Sequence, residues 1–132
     1  MPARFFDTNV LLYIASGDPA KAARVEELIA EGGVISVQVL NEFSNVARRK
    51  MALPWSEARA FLSILRRLLS VRPLSVEVHE HGLDLAERYR LSVYDAMIAA
   101  AALDAECDTL WSEDIQDGMV LADRLHVVDP FR

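Results

Sequence analysis

The chain has 132 residues, 52% of them hydrophobic and 26% charged, and its 20 acidic and 14 basic side chains give a net charge of −6. That length holds one domain with a real core, and the composition argues against disorder. The charge argues against a nucleic-acid binder held by bulk electrostatics alone, but not against one whose acids are gathered around cations.

A lone cysteine, Cys107, permits no intrachain disulfide and makes the cytoplasm the expected compartment. Asp7 interrupts the apolar stretch after Arg4 and no small-residue cleavage site follows, so no secretory signal is expected. No apolar run reaches the ~18 residues that a membrane span needs.

Arg4-Phe5-Phe6 reads as a short buried strand, closed by Asp7-Thr8-Asn9 and followed by a short helix over about 9–15. Ser16-Gly17 breaks that helix. Asp18 then reads as an N-cap ahead of Pro19, and the next helix runs to about Glu31, where Gly32-Gly33 ends it. Val34-Ile35-Ser36 is a strand, and Ser36 caps a helix over about 37–51 that Pro54 keeps from continuing. A fourth helix covers about 56–69, with Phe61, Leu62, Leu65 and Leu69 as its apolar stripe. Val71 to Leu74 is a brief strand, 76–89 a fifth helix, and an alanine-rich sixth helix covers about 92–105. Thr109 to Trp111 and Leu125 to Val128 complete the strands. Short apolar strands alternating with helices imply right-handed βαβ units. The expected fold is one three-layer α/β/α domain over 1–132 around four or five parallel strands.

Four carboxylates call for explanation. Asp7 ends the first strand. Glu42 lies on or beside the stripe Val39, Phe43 and Val46, where an unpaired charge is costly. Asp95 shares a face with Ile98, Ala99 and Ala102, and Asp114 follows a strand, with Asp117 three residues later. Each has a bland account. Asp7 reads as a cap, Ser92 and Asp95 as a capping box, Asp114 and Asp117 as turn residues, and Glu42 as a partner of Arg48 or Arg49. Together they read differently, because acids meeting at one sheet edge repel one another. A hard divalent cation such as Mg²⁺ or Mn²⁺ resolves that repulsion and turns an acidic pocket into a phosphate-binding one.

Four stretches then carry a resemblance: Phe6-Asp7-Thr8-Asn9-Val10-Leu11, Val39-Leu40-Asn41-Glu42-Phe43, Tyr94-Asp95-Ala96-Met97-Ile98-Ala99-Ala100 and Leu110-Trp111-Ser112-Glu113-Asp114. In that order, over nearly the whole chain, they resemble the PIN-domain ribonucleases, and among these the toxins of VapBC-type toxin–antitoxin systems. The resemblance implies a PIN-like fold and a Mg²⁺- or Mn²⁺-dependent endoribonuclease whose acidic set is Asp7, Glu42, Asp95 and Asp114. Asp7, Asp95 and Asp114 would hold the metal directly or through water, and Glu42 would be a further ligand or would orient the attacking water. By the same resemblance Ser112 lines the site, Asn9 helps hold the acids and Asp117 is an auxiliary acid. RNA as substrate, homodimers, and a small antitoxin that blocks the site and contacts promoter DNA are implied as well.

Two other classes compete. A phosphohydrolase with a covalent aspartyl intermediate would place its nucleophile at Asp7, but that class puts a second Asp two residues on, where this chain has Asn9. A non-catalytic α/β binding module would use the acids as caps. Arg48-Arg49-Lys50 suits a helix C-terminus, with an RNA-backbone contact as the functional alternative. His79-Glu80-His81 lies on a helix, where side chains two apart diverge, so no metal role is expected there. Trp55 reads as a surface or cap residue, and Trp111 and Cys107 read as buried.

Overall fold

The computed structural model describes residues 3–132. Its elements are β1 (Ala3–Phe6), α1 (Thr8–Leu11) running into a 3₁₀ turn (Leu12–Ala15), α2 (Pro19–Ala30), β2 (Val34–Ser36), α3 (Val37–Arg49), α4 (Trp55–Leu68), β3 (Ser70–Arg72), α5 (Val76–Tyr89), α6 (Val93–Asp104), β4 (Cys107–Trp111), β5 (Val120–Leu121) and β6 (Leu125–Val128). The caps fall where the residue types place them. Asp18 Oδ1 accepts from the Lys21 amide at 3.2 Å, Ser36 Oγ from Val39 at 3.3 Å and Ser92 Oγ from Asp95 at 3.2 Å.

The sheet order is β3-β2-β1-β4-β6-β5. Five strands are mutually parallel, as expected, and β5 is a sixth that pairs antiparallel with β6 at the edge. The expectation of four or five strands misses it because two residues show no periodicity. Its turn also carries no Asn-Gly signal: Ala122 and Asp123 supply the positive φ angles, 51° and 58°. The brief third strand lies at 70–72 rather than 71–74, since Pro73 cannot extend the ladder.

From β1 the chain steps to β2 and β3 in one direction, then crosses back over β1 to β4. Right-handed crossovers therefore put α1 to α4 on one face and α5 with α6 on the other. They also open a switch point between β1 and β4, where ligands bind in such sheets. Helix α6 touches β2, β4 and β6 as well as α5, and every residue from Ala96 to Leu103 is buried. A helix apolar all round fits only such a sandwiched place.

Phe5 and Phe6 are fully buried, each contributing about 1.5–3 kcal/mol. Gly33 lets β2 approach them. A Cβ there would lie 2.6 Å from Phe6 Cε2 and 2.9 Å from the Arg4 carbonyl oxygen. Among the described residues, no helix is long and apolar enough to cross a membrane.

Candidate metal centre

The centre is built where β1 and β4 end side by side. Phe6 pairs with Trp111, and the Asp7 amide donates to the Trp111 carbonyl at 2.9 Å. The next residues, Asp7 and Ser112, therefore leave the sheet together. Asp7 caps α1 by accepting from the Thr8 amide through Oδ1 at 2.7 Å, so its reading as a cap holds. Its other oxygen, Oδ2, accepts from Ser112 Oγ at 2.7 Å. Ser112 Oγ in turn accepts from the Ile115 amide at 3.1 Å, and the Ser112 amide donates to the Val128 carbonyl at 3.0 Å. Ser112 is 0% exposed and Asp7 3%, so these two form the floor.

Asp95 stands in the first turn of α6, and Asp114 follows β4. One carboxylate oxygen from each of Asp7, Asp95 and Asp114 lies within 4.8 Å of the others. The three grade from buried Asp7 through half-buried Asp95 to exposed Asp114. Burial pushes the Asp7 carboxyl up to about 7. The charges of Asp95 and Asp114 add to this, against the lowering bonds from Ser112 and Thr8. Asp95 is also raised, first by burial and then by Asp114, with the Ser92 hydroxyl opposing. Three oxygen donors, with no nitrogen or sulfur in the group, suit a hard divalent cation, whose charge offsets the mutual repulsion of three neighbouring carboxylates.

Glu42 is not a member of that group. Its Oε1 accepts from Thr8 Oγ1 at 2.9 Å and its Oε2 from Gln38 Nε2 at 2.8 Å. The alternative pairing with Arg48 or Arg49 does not form among the described residues. Arg48 donates to the Leu53 carbonyl at 2.8 Å and lies 4.3 Å from the ring centroid of Trp55, which is 61% exposed at the start of α4. That guanidinium braces the α3–α4 turn at the end of α3. Asn9 Oδ1 faces the Glu113 amide at 3.5 Å, and Asn9 Nδ2 is buried with no partner among the described residues. Asp117 is not a member of that group either. Its Oδ1 accepts from the Asp129 amide at 2.7 Å and its Oδ2 lies 3.8 Å from Arg132, so it holds the last residues of the chain. His79 and His81 join no metal-binding group among the described residues.

Several participants escape the sequence reading. Gln38 was within reach, being four residues before Glu42 on the same helix face. Glu113 had no local signal. It accepts from Tyr13 Oη at 2.6 Å and Lys21 Nζ at 3.1 Å, from partners 100 and 92 residues away in the chain.

A family model for the PIN domain matches residues 4–117. No curated protein matches the chain by sequence. Among solved structures, a chain of a toxin–antitoxin complex from Klebsiella pneumoniae superposes with a TM-score of 0.72 at 20% identity, covering 97% of this chain and 98% of that one. VapC20 of Mycobacterium tuberculosis, a sarcin–ricin loop cleaving toxin, gives 0.71 at 19% identity over 86% and 92%. VapBC2 from Rickettsia felis, bound to a DNA fragment of its promoter, gives 0.70 at 21% over 95% and 96%. At these identities the likeness is one of fold.

Proposed function

The chain belongs to the PIN-domain family, and from that premise we propose that it is a Mg²⁺- or Mn²⁺-dependent endoribonuclease, the toxin of a VapBC-type toxin–antitoxin pair. What supports this most is the approach of Asp7, Asp95 and Asp114 to within 4.8 Å at the switch point of the sheet. The three would hold the cation directly or through water. When bound, it supplies an activated water and neutralises charge at the phosphodiester.

The protein's own part is positioning. Ser112 and Thr8 fix both oxygens of Asp7 on the floor of the site, so the carboxylate needs no reorganisation. Asp114, the most exposed of the three, stands at the mouth. Glu42, held outside the group, orients the attacking water. Asn9 steadies the backbone at Glu113, beside Asp114. Asp117 supports the C-terminal segment rather than the acids.

In this reading 1–132 is a single nuclease domain that acts on RNA in the cytoplasm as a homodimer. A small antitoxin blocks the site and carries the contact to promoter DNA. The fold shared with the Klebsiella complex and the Rickettsia pair supports the antitoxin. The test is cleavage of single-stranded and transfer RNA with Mg²⁺, Mn²⁺ or EDTA. Internal cleavage that needs the metal, and that Asp95→Asn abolishes, is expected. Cleavage in EDTA, or an Asp95→Asn variant as active as wild type, contradicts the proposal.

A further inference from the structure

Gln38 lies in the first turn of α3 and is only 7% exposed. One nitrogen does double work: Nε2 donates to Glu42 Oε2 at 2.8 Å and to the Tyr94 carbonyl at 2.9 Å. The other oxygen of Glu42 accepts from Thr8 Oγ1. Thr8 directly follows Asp7, and Tyr94 directly precedes Asp95. The Glu42 carboxylate is therefore tied, through two donors, to the chain neighbours of two triad acids.

We propose that Gln38 is a positioning residue, whose amide ties the Glu42 carboxylate to the start of α6 and so sets where Glu42 stands relative to Asp95. The role rests on the metal-nuclease reading of the site. A carboxamide suits it for a chemical reason. Its two N–H bonds serve two acceptors at once, and being neutral it leaves the charge of Glu42 intact. A lysine or arginine would neutralise that charge. An apolar residue would leave Glu42 Oε2 without its donor and break the link from α3 to α6.

The experiment is a double-mutant cycle with a spectroscopic arm. Gln38→Met keeps the length of the side chain without its donors, and Gln38→Glu keeps its shape but repels Glu42. At saturating Mg²⁺ both should lower kcat for RNA cleavage by about tenfold or more, with KM nearly unchanged. Adding Gln38→Met to Glu42→Ala should cost nothing further, because the residue acts only through Glu42. In the metal-free protein, Glu42→Ala should shift the side-chain amide resonances of Gln38. Full activity of both Gln38 variants, losses that multiply in the double variant, or unmoved amide resonances would each overturn the proposal. If wild type shows no metal-dependent cleavage, the nuclease reading falls instead. The amide resonances still decide whether Gln38 holds Glu42.

Discussion

Ser112 Oγ donates to Asp7 Oδ2 at 2.7 Å across 105 residues of chain, joining the end of β4 to the end of β1 at the floor of the acidic site. The same hydroxyl accepts from the Ile115 amide. Ser112→Ala therefore strands a buried carboxylate oxygen and a buried N–H together. It should cost about 1–3 kcal/mol in urea unfolding of the metal-free protein at pH 8. A cost near zero would show that the hydroxyl is not structural.

The state of Asp7 makes metal-free stability depend on pH. Its carboxyl is raised from 3.8 to about 7 in the folded chain, so the folded state keeps a proton that the unfolded state has already lost. The contribution of this one group is then full below about pH 4, falls as pH rises towards about 7, and is lost above, by at most about 4 kcal/mol. In EDTA, Asp7→Asn should be more stable than wild type at pH 8 and close to it at pH 4. Added Mg²⁺ should recover the loss in wild type, since it binds only the folded chain. Parallel pH curves for the two proteins would contradict this account.

The legible acids stand where a local pattern defines a position. Asp7 and Asp114 come just after strands, and Asp95 stands three residues past a serine cap. Their convergence needed the crossover that returns from β3 to β4 beside β1, which periodicity does not encode. Glu42 was readable as a carboxylate near a buried stripe. Its partner Thr8 was not, being 34 residues away. Asp117 looked like an auxiliary acid because it follows Asp114 by three. Its bond to the Asp129 amide depends on how the chain turns back after β6, and the β5–β6 turn bears no recognisable residue pair.

A polar–aromatic knot steadies the loop that carries Asp114. Lys21 Nζ lies 4.6 Å and 4.8 Å from the ring centroids of Tyr13 and Phe131 and bonds Glu113 at 3.1 Å. Lys21 is about one third exposed, so Lys21→Met should leave global stability nearly unchanged. Its effect should show in dynamics, as faster hydrogen exchange of the amides of 112–118. Unchanged exchange there would remove the knot from the account.

Gly33→Ala tests the close approach of β2 to β1. The added methyl meets a backbone oxygen as well as the Phe6 ring, so little can yield. A loss of about 1–3 kcal/mol is expected by thermal unfolding. A neutral outcome would mean that β2 can withdraw without disturbing the strand that leads into Asp7.

The most direct measurement is Mn²⁺ binding, followed by calorimetry and electron paramagnetic resonance, on wild type and on Asp7→Asn, Asp95→Asn, Asp114→Asn and Asp117→Asn. Wild type should bind Mn²⁺, each triad variant should bind it about tenfold or more weakly, and Asp117→Asn should match wild type. A wild-type chain that binds no Mn²⁺, or triad variants that bind it as well as wild type, would contradict the metal centre.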